Sequence, residues 1–123
     1  MLQAGLFLDF KGTDTLLIWG DSEGIAALRA AMVALSRGDT SHIQISGDVD
    51  LSVSLIEASE GHSNLSRLGR GLEWTCARRM FVEAEALLAE MNEVETGHHY
   101  FEVSGLAAQV IVSKGEYPAE MRP

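Results

Sequence analysis

The stretch TLLIWGDSEGIAALRAAMVALSRG, residues 15–38, decides the fold because a short apolar segment runs directly into an amphipathic one. Residues 15–20 are apolar and few, which is typical of a strand. Asp21 or Ser22 offers a side-chain oxygen to cap a helix, and Gly38 ends that helix. Apolar residues recur between them at helical spacing: Ile25, Leu28, Ala31, Met32 and Leu35. The stretch therefore predicts a strand followed by a helix with one buried face.

Hairpins are predicted on both sides of this unit. Residues 5–10 and 15–20 flank the turn sequence KGTD, which predicts an antiparallel pair. Residues 41–47 and 50–59 alternate apolar and polar side chains around Gly47-Asp48 and form a second pair. The chain then continues with a strand at 72–77, an acidic helix at 78–97, and a third hairpin of 98–105 with 107–117.

The second half repeats the order of the first. Trp19 and Trp74 are 55 residues apart, and the two helix stripes, the second being Phe81, Ala84, Leu87, Leu88 and Met91, are 56 apart. The strand His42–Gly47 matches Tyr100–Gly105 at 58, and Leu51–Ser54 matches Val110–Ser113 at 59. The steps fall in turns, as expected for a duplicated β-α-β-β unit.

The repeat predicts the fold class. We expect an α+β fold in which a mostly antiparallel sheet of seven strands carries both helices on one face, with an extra strand before the first unit. The whole chain, 1–123, reads as a single domain. Its halves are about 15–58 and 72–117, joined by a loop at 60–71.

Charge and composition exclude several classes of function. The chain has 18 acidic and 9 basic residues and a net charge of −9, which opposes nucleic-acid binding and favours a basic partner. Its single cysteine, Cys76, allows no internal disulfide and suits a reducing compartment. No basic segment precedes Asp9, and no apolar run approaches the roughly 20 residues of a membrane helix. We therefore expect a cytoplasmic protein with no signal peptide and no membrane or nucleic-acid partner.

The histidines do not form a recognisable metal motif. In GHHYFEVSG, residues 97–105, His98 and His99 are strand neighbours and point to opposite faces, so they cannot easily share an ion. His99 falls on the core side with Phe101. No HxxxH or CxxC spacing occurs, and zinc needs three or four ligands. His42, His98 and Glu102 stay as metal candidates only if the fold brings their strands together; no cofactor is predicted.

Catalysis is disfavoured for similar reasons. Cys76 precedes Arg78-Arg79 at a helix start, an arrangement that can lower the pKa of a thiol. A buried strand cysteine is the commoner case, and no hydroxyl nucleophile with a paired base is evident. We expect a non-enzymatic protein and assign no catalytic residue.

The acidic helix and the loop at 60–71 are the candidate binding surfaces. The helix has no basic residue after Arg79 and forms either a solvated face or a docking surface for a basic protein. The candidate partner-binding residues are Glu83, Glu90 and Glu93, together with Arg67 and Arg70 of the loop. The alternative is a small-ligand, anion or metal-binding domain that uses His42 and His98 or Arg67 and Arg70. Strands 5–10 and 107–117 are candidates for an exposed sheet edge, through which two copies of the chain could pair as a homodimer.

The order of a short strand, GDSEGIAALRAAMVAL and a strand containing His42 resembles small immunity proteins of bacterial polymorphic-toxin systems, in particular the family numbered thirty-two. The resemblance covers residues 15–58 and, more weakly, the second half. It implies a small, acidic, cytoplasmic and non-catalytic bacterial protein that binds a toxin directly. The implied partner is a basic nuclease.

Overall fold

In a computed structural model, described here for residues 1–56 and 63–122, the chain forms two helices and nine strands. The first half contains β1 (Leu2–Phe10), β2 (Thr13–Gly20), α1 (Ser22–Arg37), β3 (His42–Ile45) and β4 (Leu51–Ile56). The second contains β5 (Asn64–Leu68), β6 (Gly71–Ala77), α2 (Arg78–Met91), β7 (Gly97–Glu102), β8 (Ser104–Gly105) and β9 (Gln109–Lys114). The prediction of an α+β fold is confirmed.

The strands form two mixed sheets. Sheet I has the order β1-β2-β9-β7, and sheet II has the order β3-β4-β6-β5-β8. The three predicted hairpins are present as antiparallel pairs, β1–β2, β3–β4 and β7–β9. The central pairs, β2–β9 and β4–β6, are parallel, whereas one mostly antiparallel sheet was expected. Turn sequences specify hairpins, but they carry no information about which hairpins then lie side by side.

Each sheet takes one hairpin from each half of the chain. Sheet I joins β1–β2 of the first half to β7–β9 of the second, and sheet II joins β3–β4 of the first to β5–β6 of the second. The loop predicted at 60–71 is wrong at Asn64–Leu68, which is β5, while its residues 60–62 lie outside the described part of the chain. The repeated unit is therefore ββαββ, and β1 belongs to it.

The pairing registers correct the alignment of the two halves. Ile18 pairs with Val112, and Trp74 pairs with Val53. Ile18 and Trp74 are therefore the equivalent residues, at the same spacing of 56 as the helices. Matching Trp19 to Trp74 was wrong by one residue, and a shift of one residue in a strand moves a side chain to the opposite face. Trp74 lies in the core, whereas Trp19 faces away from it.

One core fills the space between the two sheets and the two helices. It is built from the alternating inward positions of the strands and from the apolar stripes of α1 and α2, and its largest fully buried members are Trp74, Phe81, Leu16, Ile18 and Ile25. The helices pack against each other. Arg29 of α1 donates from Nε and Nη2 to Oε1 of Glu85 on α2, at 3.0 and 2.8 Å. These two residues are also 56 apart, so equivalent positions of the halves meet here.

The ends of the two helices are stabilised by different contacts. In α1 the side chain of Asp21 accepts the Gly24 N–H at 2.9 Å, which lowers the pKa of that carboxyl, and Gly38 ends the helix with a left-handed backbone. Helix α2 was expected to reach residue 97 but stops at Met91. The buried ammonium group of Lys114, from β9, donates to the carbonyl oxygens of Met91 and Val94 at 3.0 and 2.5 Å. A cation at this position interacts favourably with the negative, carboxyl end of the helix dipole.

The outer faces of the two sheets differ in chemistry. The outer face of sheet I has an apolar patch on β1, β2 and β9, formed by Phe7, Leu17, Trp19 and Ile111. The chain from Gly115 to Arg122 packs on this patch: Tyr117 and Met121 contact its side chains, and Trp19 Nε1 donates to the Pro118 carbonyl at 2.9 Å. The outer face of sheet II is polar and carries His42, Gln44, Ser52, Ser54, Asn64, Ser66, Glu73 and Thr75. Of the two helices in the described chain, neither combines the length and the apolar character that crossing a membrane requires.

Candidate functional site

An open groove of about 590 Å³ lies between α2 and the carboxyl end of β7. Arg79, Met80, Glu83 and Leu87 line it from the helix, and Tyr100 and Glu102 line it from the strand. Phe101 and Val103, each 8% exposed, form part of its floor. The groove therefore combines apolar side chains with charges of both signs.

β7 is the last strand of sheet I in the described chain, so one edge of its backbone borders the groove rather than another strand. The strand alternates as predicted: Phe101 is buried and His99 is half-buried toward the core, while His98, Tyr100 and Glu102 are exposed on the other side. Tyr100 is 57% exposed and stacks edge-on against His98, with the ring centres 5.1 Å apart. An aromatic side chain this exposed on an edge strand is suited to contact with a partner.

The exposed side of α2 forms a second candidate surface. We call Val82, Glu83, Ala86 and Glu90 the acidic face of α2, because these exposed residues follow one another at helical spacing. Val82 is 56% exposed, so an apolar side chain lies among the carboxylates. The sequence from Met80 to Ser113 contains six glutamates and no lysine or arginine. One of the glutamates, Glu85, is turned toward α1 and paired with Arg29.

The structure brings some of the predicted partner-binding residues together and separates others. Glu83 and Glu90 lie two turns apart on the acidic face of α2. Glu93 was expected on the same helix, but it lies in the exposed turn that follows Met91. Arg67 and Arg70 belong to the β5–β6 hairpin, Arg67 near the end of the strand and Arg70 in the turn. Neither arginine is among the residues that line the groove.

The metal candidates are not assembled into a site. His42 is exposed on β3 of sheet II, with Nδ1 at 3.3 Å from the hydroxyl of Ser41. His98 is exposed on β7 of sheet I, with Nδ1 at 3.0 Å from a carboxylate oxygen of Glu116. Over residues 1–56 and 63–122, no group of three His, Cys, Asp or Glu side chains could hold an ion together. The third candidate, Glu102, lines the groove instead.

The thiol of Cys76 is buried in the core rather than activated. Burial raises its pKa to about 12, although the hydroxyl of Ser63, 3.8 Å from the sulfur, acts in the opposite direction. The same hydroxyl accepts the indole N–H of Trp74 at 2.6 Å. Arg78 and Arg79, which suggested activation from the sequence, are exposed at the start of α2. A thiol that stays protonated at neutral pH is a poor nucleophile.

Comparisons with known proteins add no relative: no protein-family model, no curated protein and no solved structure matches the chain. The resemblance to immunity proteins over residues 15–58 stays a prediction.

Sequence reasoning missed the groove, although it placed Glu83 and Glu102 among the candidates. The sequence analysis assigned neither Arg79 nor Tyr100 to a binding surface. The signal that could have found them is the alternation of HHYFE, which puts a tyrosine on the polar side of its strand. That the strand lies at an edge, next to α2, depends on pairing that the sequence pattern does not carry.

Proposed function

We propose that this protein is a non-catalytic binding protein that docks a basic protein partner on the acidic face of α2. The observation that carries the proposal is the exposed row Val82, Glu83, Ala86 and Glu90 in a stretch without lysine or arginine. Small and apolar side chains between carboxylates let a partner's surface approach closely while its cations meet the acids.

The net charge of −9 also favours a partner with a positive net charge. Opposite overall charges steer two proteins together and raise the rate of association, and salt weakens this effect. Glu93 and Glu95, in the turn after α2, add carboxylates at the end of the acidic face.

The immunity-like form of this proposal rests on the resemblance over residues 15–58. In that form the protein is a cytoplasmic bacterial inhibitor, and its partner is a basic toxin. The neutral, buried thiol of Cys76 is in keeping with a role that needs no nucleophile and with a reducing compartment.

The test is capture of partners from an extract of the source cells, followed by measurement of the dissociation constant for each captured protein at low and high salt. We expect basic proteins whose binding weakens as salt rises. The variant Glu83→Lys with Glu90→Lys should lower the affinity by roughly tenfold or more, since two reversed charges at a rim cost on the order of 1–2 kcal/mol.

The control is Asp39→Lys with Glu120→Lys, which makes the same change of net charge at exposed positions away from α2. It should bind nearly as the wild type does. Equal losses in both double variants would reduce the effect to net charge and remove α2 as the docking site. Captured proteins that are acidic, or binding that does not respond to salt, would contradict the proposal itself.

A further inference from the structure

We propose that two copies of this chain associate through the free edge of β7, with the strands antiparallel and Tyr100 facing Tyr100 of the second copy. Sheet I then continues across the contact as eight strands. This inference concerns the edge of β7, which shares with the acidic face of α2 only Glu83, at the side of the groove, and it does not depend on the proposed function.

Within residues 1–56 and 63–122, the side of β7 that faces away from β9 has no strand partner for its backbone groups, which occur there at alternate residues. The Val103 N–H donates to the Ala108 carbonyl at 3.5 Å, and Phe101 and His99 face Val110 and Val112 in the same register. In an antiparallel pair, residues that bond to the neighbouring strand alternate with residues that do not. His98, Tyr100 and Glu102 therefore turn their N–H and C=O groups toward the free edge.

The side chains of these three residues are self-complementary in one register. When Tyr100 faces its copy across a twofold axis, His98 faces Glu102 of the second copy on both sides. A histidine opposite a carboxylate and an aromatic pair at the centre are both favourable cross-strand pairs. The same three residues supply the backbone groups at this edge, so the register that places His98 opposite Glu102 also forms the hydrogen bonds.

The groove beside β7 can receive the added strand. A neighbouring strand lies about 4.8 Å away in the hydrogen-bonding direction, and the groove of about 590 Å³ borders Tyr100 and Glu102. Met80 and Leu87 line it from α2, so a strand that enters it also covers apolar side chains.

The other sheet edges in the described chain are less suitable. The Val49 N–H donates to the Ala4 carbonyl of β1 at 3.3 Å, and β1 carries a bulge between Phe7 and Phe10. Both features protect an edge strand from pairing. The edge strand β3 has only four residues, and β8 covers part of β5. The strand 107–117, expected from the sequence as an exposed edge, contains β9, which lies between β2 and β7.

The test is sedimentation of the full chain over a range of concentrations, at low and high salt. The wild type should approach twice the 13.3 kDa of one chain as its concentration rises. Because both copies carry a net charge of −9, salt should strengthen this association by screening their repulsion. Docking of a basic partner has the opposite salt dependence, so a failure of one proposal is distinguishable from a failure of the other.

The diagnostic variant is Tyr100→Lys, which places two like charges opposite each other and should raise the dissociation constant of the dimer by about tenfold or more. Its control is Leu8→Lys, since Leu8 is 69% exposed on β1, the opposite edge strand of sheet I. Far-ultraviolet circular dichroism verifies that both variants are folded. Independently of any variant, amide exchange should slow at His98, Tyr100 and Glu102 in concentrated wild type and recover on dilution.

A wild type that sediments as one chain at every concentration would overturn the inference. So would a dimer that survives Tyr100→Lys but is lost in Leu8→Lys, which would place the contact on β1. Slow exchange of the β7 amides only after a basic partner is added would assign the edge to that partner instead.

Discussion

Replacing Lys114 by methionine should remove the hydrogen bonds that hold the carboxyl end of α2. The ammonium group is almost completely buried and donates to the carbonyls of Met91 and Val94 at 3.0 and 2.5 Å, with the Asn92 carbonyl at 3.4 Å. Two good hydrogen bonds from a charged donor contribute roughly 1.5–3 kcal/mol each. Together the two bonds contribute roughly 3–6 kcal/mol, and relief of the cost of burying the ammonium group returns roughly 1–3 kcal/mol, so we expect a net loss of about 2–3 kcal/mol.

The measurement is urea unfolding followed by far-ultraviolet circular dichroism. Methionine keeps most of the apolar stem, so the slope of the transition should stay the same while its midpoint falls. In thermal unfolding the same loss corresponds to roughly 8–12 °C for a chain of this size. Amide exchange should also accelerate in the turn at residues 92–96, which the ammonium group holds against β9.

The matched control is Lys11→Met. Lys11 is exposed in the β1–β2 turn, and we expect a change within about 0.5 kcal/mol there. If Lys114→Met is no more destabilising than Lys11→Met, the ammonium group contributes no net stability and the end of α2 must be fixed by other contacts.

Two further predictions concern the buried thiol of Cys76 and the close backbone approach at Gly47. Because the pKa of Cys76 is raised to about 12, iodoacetamide at pH 8 should leave the native thiol unmodified and react only after unfolding; rapid alkylation of the folded protein, measured by mass spectrometry, would contradict the burial. A Cβ at Gly47 would lie 2.6 Å from the backbone nitrogen of Ala4, so Gly47→Ala should cost about 1–3 kcal/mol in urea unfolding. Gly97→Ala, whose Cβ meets only a Val94 methyl at 3.6 Å, should cost less than about 1 kcal/mol. Equal losses of unfolding free energy in the two variants would show that the close approach of residues 47–49 to β1 does not restrict the side chain at residue 47.

The local structure was largely predictable because local signals specify it. Alternating apolar residues gave the faces of β3, β4 and β7, turn sequences gave the three hairpins, and Asp21 and Gly38 gave both ends of α1. These features depend on residues within a few positions of one another. The α+β class follows from their order along the chain.

The pairing of the hairpins was not predictable from the same signals. Apolar alternation shows which face of a strand is buried, but not which strand lies beside it. β5 was missed because NLSRL has a single buried apolar residue, Leu65, and otherwise the composition of a loop. The end of α2 was misplaced because the residue that caps it, Lys114, is 23 positions away along the chain.

The candidate site was predictable only in part. The acidic face of α2 is a helical pattern and can be read from spacing, so Glu83 and Glu90 were found. The groove and the free edge of β7 arise from the meeting of distant elements, and they could not be located before the sheets were known. Glu93 was assigned to the wrong element for the same reason that α2 was predicted too long.

The ion pair between Arg29 and Glu85 has a meaning for the origin of the chain. These residues occupy the same position in the two halves and are in direct contact. In an assembly of two identical ββαββ units, the residue at that position would meet its own copy, as arginine against arginine or glutamate against glutamate, and like charges would repel. Once two copies share one gene, each can change separately, and the clash can become an attraction. Fusion thus opens sequence solutions that an ancestor with exact symmetry could not reach.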